Sequence, residues 1–460
     1  MENFWDYNVW GGLNLFSVLL ISLLAANLMK KFFPVLKASL IPSSVLGGGI
    51  LIVIAGIFKI CTGRVMFDGQ FFAGNGTNML ELITYHSLAL GFIASSFKTS
   101  EGQMTKQRTV EIFNTGVTTV STYLLQAVLG FGISMIAVVF VKDFFPAAGV
   151  LLPFGYGQGT GQALNYGGIY ENQFGFVGGK NFGLTIAALG FLSASLGGVF
   201  HLVLLRRSGK IAPRKEQSKQ LSTDDIQKDN EIPMQESVDK MTVQVALVVG
   251  AYMIAYFMMC GLGKLLPGMK SVIFGFNFLL GVLAATLVKS VLKMLQKTKL
   301  MHRNYTNNFL LTRTSNFFFD LMVVAGVAAI RLDILENYWG IILIMGVVGM
   351  VSTYLYNYYV AKTLFSDYQQ EQFLTMFGML TGTASTGVIL LREIYPEFKT
   401  PASDNMVYQN FPAIVFGFPM MLLATLAPVK PMLTFVIMVL FFAVMNLILF
   451  RSKIFAKKAK

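Results

Sequence analysis

The strongest chemical signal in the sequence is a glycine-rich stretch that also carries uncharged polar side chains. Residues 155–168 read GYGQGTGQALNYGG, with six glycines among fourteen residues. The side-chain oxygens of Thr160, Gln162 and Asn165 and the backbone carbonyls are ligands of the kind that a hard cation such as Na⁺ accepts. Backbone N–H groups at the start of a helix can receive a carboxylate. The stretch therefore has the chemistry of an ion and anion site, although glycines spaced four apart also mark close helix packing.

A weaker copy of this pattern lies in the second half of the chain. The GxxxGTG motif at 155–161 aligns with GxxxGTA at 378–384 at a constant offset of 223, within a polar run TGTASTG at 381–387. In a similar way, SVL at 44–46 is echoed by SVI at 271–273, at an offset of 227. Together these matches favour two homologous halves.

The composition places both segments in a membrane. The chain has 460 residues, of which 54% are hydrophobic and 13% charged, with a mean hydropathy of +0.61. That is about half the charge of a soluble domain. Apolar runs recur from Gly11 to Phe450, and each is long enough to cross a hydrocarbon core of about 30 Å. We therefore predict an all-α polytopic membrane protein.

The apolar runs predict eleven spans. Two further apolar stretches, 148–171 and 373–391, are rich in glycine, and we interpret them as re-entrant hairpins, since unwound backbone is tolerated at membrane depth only inside protein or beside water. The predicted spans are 11–29, 40–60, 80–97, 111–141, 180–205, 241–265, 271–295, 309–330, 338–361, 406–427 and 430–450.

The basic residues predict the orientation of these spans. The net charge is +13, but the Lys and Arg residues lie in short loops, which indicates topology and no nucleic-acid partner. With the N-terminus outside and the C-terminus in the cytoplasm, all but eight of the 36 Lys and Arg residues fall on the inner side. Trp5, Trp10 and Trp339 then lie at the outer interface, where indole rings are favoured.

The order of spans predicts an inverted repeat. The polar segment 206–240 has few apolar residues and is interpreted as a cytoplasmic linker. It separates an N-terminal repeat, 1–205, from a C-terminal repeat, 241–427, each with five spans and one hairpin. Because five is odd, the second repeat must enter the membrane from the opposite side. The segment 428–460 adds one extra span and a basic tail.

Two charged residues, Asp320 in the eighth predicted span and Arg392 directly after the second hairpin, are candidate ligands, because intramembrane charges are costly. Arg392 could clamp a substrate carboxylate with its planar guanidinium, or it could pair with Glu393 at the interface. Asp320, with Asn316 one turn away, could help to hold Na⁺, or it could be a structural carboxylate. The candidate substrate-binding residues are Gly157, Gln158, Gly159, Thr160, Gly161, Gln162, Asn165, Thr383, Ser385 and Arg392. The candidate Na⁺ ligands are Thr160, Thr381, Thr383 and Asp320.

Two of these segments resemble the sodium/glutamate symporter (ESS, GltS-type) family. IPSSVLGG at 41–48 is similar to the I-P-x-x-V-x-G-G of that family, and YGQGTG at 156–161 stands in place of its G-G-H-G-T-G. Gly157, Gly159, Thr160 and Gly161 match, whereas Tyr156 replaces a glycine. The resemblance implies an inner-membrane Na⁺-coupled carboxylate symporter that forms a homodimer, in which a mobile domain carries both hairpins.

The expected function is transport of a small anionic substrate with Na⁺ across a lipid bilayer. No Walker A, H-E-x-x-H or G-x-S-x-G motif occurs in the sequence, so catalysis and an organic cofactor are not expected. The alternative is an ion channel with glycine-rich re-entrant filter loops, because FGYG at 154–157 resembles a potassium filter. A filter needs four such strands, and the second glycine segment has no GYG.

Overall fold

The computed structural model is built from helices. It describes residues 3–98, 105–209, 226–227, 230–234, 237–267, 270–331, 338–394 and 401–454. Within these ranges, the only β-structure is an isolated bridge between Glu231 and Asn304. The helices are α1 Tyr7–Phe32, α2 Pro34–Ala38, α3 Ser43–Thr62, α4 Gly76–Phe97, α5 Lys106–Phe140, α6 Leu151–Phe174, α7 Gly179–Arg207, α8 Lys240–Leu265, α9 Lys270–Gly275, α10 Asn277–Lys297, α11 Asn308–Ala328, α12 Trp339–Leu364, α13 Gln369–Thr381, α14 Ala384–Ile394, α15 Pro401–Tyr408, α16 Asn410–Leu426, α17 Pro431–Leu449 and α18 Arg451–Ile454.

Ten helices among the described residues are long and apolar enough to cross a membrane. They are α1, α3, α4 with the 3₁₀ turn before it, α5, α7, α8, α10, α11, α12 and α17. Each coincides with one of the eleven predicted spans. The protein is therefore a multi-pass membrane protein.

The remaining predicted span, 406–427, falls on two shorter helices. It begins within α15 and continues as α16, which has 17 residues and contains Pro419. A proline inside a helix removes one backbone hydrogen bond, and the apolar part, Pro412–Leu426, is shorter than the ten long helices. A crossing at this position stays a prediction.

The long helices expose apolar side chains and bury polar ones, as a lipid solvent requires. On α12, five apolar residues at helical spacing are exposed: Leu343, Ile344, Val347, Val351 and Leu355. The opposite face buries Gly346, Gly349, Thr353 and Asn357. Because hydrocarbon neither attracts nor satisfies polar groups, this distribution is the one expected of a helix in lipid.

The helices form two compact units, which do not follow the two halves of the sequence. The first contains the described residues of Met1–Glu81, Met104–Pro213 and Val323–Lys460, and the second those of Leu82–Gln103 and Arg214–Met322. In the first unit, Gln126 and Thr122 of α5 lie opposite Thr353 and Asn357 of α12, so the two helices run antiparallel. Contacts between the two halves of the chain thus define this unit.

The second unit has its own apolar core and a buried ion pair. Ile93, Val248, Ala285 and Leu311 pack together in the core. The Lys240 ammonium, which is fully buried, lies 2.8 Å from the Glu231 carboxylate. The sequence predicted 206–240 to be a linker without a core of its own. α7 continues to Arg207, and the last residues of the segment, including Glu231, pack at the start of α8.

Candidate functional site

The glycine-rich stretch folds into one sharply bent helix. Gly159 interrupts α6 with φ 76° and ψ −170°. In a straight helix Phe154 and Tyr166, twelve residues apart, would be separated by about 18 Å along the axis. Their rings instead stack with centroids 3.9 Å apart. The chain therefore turns sharply at Gly159, and the hairpin predicted at 148–171 appears as two helical arms of α6 on either side of this residue.

Glycine is required at two positions of the bend. The φ and ψ of Gly159 lie in a region that only glycine adopts readily. At Gly157, an added Cβ would lie 2.0 Å from Cε1 of Tyr123, so a side chain is excluded. The Tyr123 hydroxyl donates a hydrogen bond of 3.0 Å to the Gly157 carbonyl. α5 thus holds the backbone of the bend through Tyr123.

A second helix break lies at Gly382 and Thr383. It separates α13 from α14, and Gly382 has φ −138° and ψ −108°. The two short helices pack closely, because a Cβ on Gly378 would lie 2.8 Å from the Cα of Gly387. The segment predicted as a hairpin at 373–391 is therefore a pair of packed helices, with thirteen and eleven residues.

The two breaks occupy equivalent places in the sequence motifs. Gly159-Thr160 and Gly382-Thr383 are the pairs that the offset of 223 aligns. Both segments approach Gly190 of α7, at which an added Cβ would lie 2.5 Å from the Thr381 carbonyl oxygen and 3.2 Å from the Tyr156 Cα. A small residue on α7 therefore lets the two broken segments meet inside the first unit.

Most of the candidates in the first segment line or adjoin the bend. Gly159, Thr160, Gly161 and Gln162 are buried, whereas Gly157, Gln158 and Asn165 are half-buried. The Asn165 amide donates a hydrogen bond of 3.3 Å to Gln162 Oε1. Thr160 packs on α11, since a Cβ on Gly326 would lie 2.5 Å from the Thr160 Cβ.

Two amide atoms at the bend have no hydrogen-bond partner among the described residues. They are Gln158 Oε1 and Gln162 Nε2, and both atoms are buried. Buried polar atoms are normally hydrogen-bonded. The bend therefore offers an acceptor and a donor to a ligand or to water.

The second segment brings fewer polar side chains to its break. The buried Thr381 hydroxyl donates a hydrogen bond of 2.6 Å to the Phe377 carbonyl, and the Thr383 and Thr386 hydroxyls lie 3.4 Å apart. The side chain of Ser385 lies outside the described part of the structure. Backbone groups and threonine hydroxyls thus dominate this half of the site.

The two charged candidates are both exposed. Arg392 is exposed in the last turn of α14, nine residues or about 13 Å along the chain from Thr383 at helical rise. Glu393, its neighbour, lies 3.5 Å from Arg206 of α7. Asp320 is exposed on α11 and belongs to the second unit, whereas both breaks belong to the first. The structure does not bring Arg392 to the helix breaks.

Tyr156 is a site residue that sequence reasoning did not select. It is fully buried, its hydroxyl donates a hydrogen bond of 2.6 Å to the Gly346 carbonyl, and it lies 2.9 Å from the Ser193 hydroxyl. Tyr156 thereby ties the first arm of α6 to α12 and α7. Its place between glycines was the available signal, because a bulky side chain among glycines indicates a specific contact.

The site is built from uncharged groups. Among the residues that the structure describes, no three His, Cys, Asp or Glu side chains are grouped to hold a metal ion. Neutral oxygen ligands suit monovalent ions better than divalent ions, because divalent ions favour carboxylates.

Comparison with known proteins does not assign this chain to a family. No protein-family model matches the chain, and no curated protein matches it significantly. Its functional interpretation therefore depends on the helix breaks themselves and on the short motifs that surround them.

Proposed function

We propose that this protein is a secondary active transporter that couples Na⁺ to the symport of glutamate or a related carboxylate or amino-acid anion. In this proposal the substrate and Na⁺ bind at the two helix breaks, and the segment that carries them alternates between the two sides of the membrane in an elevator-like movement. The resemblance to the sodium/glutamate symporter family supports the choice of substrate class.

The observation that carries the proposal is that two interrupted helical segments meet at Gly190. A stable membrane protein has no structural need for two interrupted helices, because an interrupted helix leaves backbone groups without intrahelical partners. Pairs of interrupted helices in corresponding positions of two halves are the usual binding sites of transporters. The breaks at Gly159-Thr160 and Gly382-Thr383, which an offset of 223 residues aligns, support such a site here.

The polarity of the helix ends supports symport of an anion with a cation. At each break one helix ends and another begins, so both carbonyl and N–H ends are present. The beginnings, at Thr160 and Ala384, favour a carboxylate through the positive end of the helix dipole. The ends, near Gln158 and Thr381, present carbonyl oxygens and a negative dipole end to a cation.

The proposal includes the finer architecture that the sequence indicates. Two inverted five-helix repeats would each contain one re-entrant hairpin, with α17 as the extra C-terminal span. The protein would be a homodimer in the cell's inner membrane, with its N-terminus outside and its C-terminus in the cytoplasm. The ten long helices and the equivalent positions of the two breaks support this arrangement.

Electrostatics sets the minimum number of coupling ions. Moving one elementary charge across 100 mV is worth about 2.3 kcal/mol. A monoanion that enters with one Na⁺ carries no net charge, so membrane voltage contributes nothing to its accumulation. Uptake driven by an inside-negative voltage therefore requires at least two cations for each monoanion.

Uptake into liposomes tests the proposal. The purified protein is reconstituted, and uptake of radiolabelled glutamate and of a panel of carboxylates and amino acids is measured under an inward Na⁺ gradient. Saturable uptake that disappears when K⁺ replaces Na⁺ is expected. Uptake unchanged by that replacement would exclude Na⁺ coupling, and single-channel currents would favour the alternative, an ion channel.

Thr160→Val tests the site within this assay. The substitution preserves the shape that packs on Gly326 and removes only the hydroxyl, so a reduced apparent Na⁺ affinity is expected. Thr185→Val is the matched control, because Thr185 is buried on α7 and its hydroxyl bonds the Asn181 carbonyl of its own helix. An apparent Na⁺ affinity that is equal in both variants would show that the Thr160 hydroxyl does not bind Na⁺.

A further inference from the structure

A buried group of amides and hydroxyls lies where α5 crosses α12. Gln126, Thr353 and Thr122 are fully buried, and Asn357 is 2% exposed. Gln126 Nε2 lies 2.8 Å from Thr353 Oγ1, and Asn357 Nδ2 lies 3.3 Å from Thr122 Oγ1. The two amides lie one helical turn apart, or about 6 Å along the crossing. None of these four residues was selected from the sequence.

The orientation of both amides is determined by their donors. Gln126 Nε2 also donates a hydrogen bond of 2.9 Å to the Leu380 carbonyl, and Asn357 Nδ2 donates one of 3.0 Å to the Thr353 carbonyl. A carbonyl oxygen only accepts hydrogen bonds, so neither amide can be turned around without placing oxygen against oxygen. The side-chain oxygens must therefore be the atoms that point away from these carbonyls.

Both side-chain oxygens have no hydrogen-bond partner among the described residues. Gln126 Oε1 and Asn357 Oδ1 are buried atoms without a donor. A buried acceptor without a donor is unfavourable, and two of them within one helical turn are rarely found in a stable core. They indicate that a hydrogen-bond donor or a cation occupies the crossing.

The surroundings favour a cation over a hydrogen-bond donor. Leu380 is the penultimate residue of α13, so its carbonyl belongs to the negative end of that helix. This carbonyl and the Thr353 hydroxyl accept hydrogen bonds from Gln126 Nε2, so the ligands left for an ion are the two amide oxygens, near the negative end of α13. Neutral oxygens suit a monovalent ion better than a divalent one, which favours carboxylates.

A line of polar side chains leads from the crossing along α5. Glu111, Thr115, Thr119, Thr122 and Gln126 follow one another at intervals of three or four residues, which places them on one face of the helix. Each of the first three contacts a polar side chain of the second half: Glu111 contacts Tyr368, Thr115 contacts Gln372, and Thr119 contacts Gln409. Glu111 at the far end is partly exposed, so the line connects the crossing with the surface.

We infer that Gln126 and Asn357 hold a Na⁺ ion at the crossing of α5 and α12, at a site separate from the Thr160, Thr381 and Thr383 candidates. The inference depends on the proposed function only in that it identifies this ion as a coupling ion. Because Gln126 also bonds the Leu380 carbonyl, occupation of the site would stabilise the second helix break in one arrangement.

Binding of ²²Na⁺ to detergent-purified protein tests the site without any transport step. Gln126→Met and Asn357→Leu each replace an amide by an apolar group of similar volume, and each is expected to lower the number of Na⁺ ions bound at saturation by one per chain. Ser134→Ala is the matched control, because Ser134 is buried on α5 and its hydroxyl bonds the Phe131 and Pro146 carbonyls. It is expected to bind as the wild type does.

The outcomes separate this site from the proposed function. A number of bound Na⁺ ions at saturation that both variants retain in full would overturn the site and leave symport intact. A loss of one bound Na⁺ per chain in both variants would support the site even if liposomes showed no Na⁺-dependent uptake. A wild type that binds no ²²Na⁺ would overturn the site as well.

A second measurement covers variants that do not fold. If gel filtration shows that neither variant is monodisperse, crystals of the wild-type protein grown with Tl⁺ decide the question. An anomalous peak between Gln126 and Asn357 is the expected result. Density there for an ordered water alone would overturn the inference.

Discussion

Replacing Gly159 by alanine tests whether the bend in α6 depends on the backbone of this residue. With φ 76° and ψ −170°, Gly159 adopts a conformation that alanine reaches only with strain, at a cost of about 1–3 kcal/mol. Cooperative unfolding of a 460-residue chain has an entropy of about 1 kcal/mol per kelvin, from about 2.1 cal/mol/K per residue. Gly159→Ala should therefore lower the melting temperature by about 1–3 °C.

Gly168→Ala is the matched control for this substitution. Gly168 lies on the second arm of the same helix, and an added Cβ would make an ordinary contact of 3.5 Å with Cε of Lys180. Alanine at a helical position without steric conflict stabilises a protein by about 0.4–1 kcal/mol. The control should therefore melt slightly above the wild type, so that the two variants change in opposite directions.

The assay is thermal unfolding in detergent, followed by intrinsic fluorescence, together with uptake in liposomes. If the backbone of the bend binds substrate, Gly159→Ala should lose at least tenfold in uptake, because a displacement of about 1 Å can cost that much or more. Gly168→Ala should remain within twofold of the wild type. Equal melting temperatures for the two variants would refute the strained conformation, and equal uptake would refute a role of the bend in binding.

Two further predictions concern packing and charge. Gly387→Ala places a Cβ 2.5 Å from the Thr375 carbonyl oxygen, and separation of α13 and α14 should cost about 1–3 kcal/mol. The control Gly250→Ala lies inside α8 with nothing within 4 Å of an added Cβ and should melt slightly above the wild type; equal effects of the two substitutions would argue against close packing. Lys180→Met breaks a 2.7 Å ion pair with Glu81, but the side chains are 26% and 22% exposed, so the loss should stay below about 1 kcal/mol. The exchanged pair, Glu81→Lys with Lys180→Glu, should recover stability, and a double variant no more stable than Lys180→Met would show that the pair contributes nothing.

The sequence by itself determined the spans and the places where helices break. Ten of the eleven predicted spans coincide with long apolar helices. The length of an apolar run is a local property of the sequence, and it decides whether a helix can cross the hydrocarbon core. The Gly-Thr pairs at 159–160 and 382–383 were recognisable for a similar reason. Glycine among polar residues in an apolar neighbourhood is unfavourable in a continuous helix.

Only the tertiary structure decided which residues share a site. It brings Thr381 and Tyr156 to Gly190 and leaves Arg392 at the far end of its helix, although sequence distance ranked Arg392 as near the second break. Gln126 and Thr353 are 227 residues apart, and nothing in their local pattern relates them. Such pairs are set by the packing of whole helices. Helix packing depends on small residues such as Gly190, which allow close approach, and on which helices become neighbours, which periodicity along the chain does not encode.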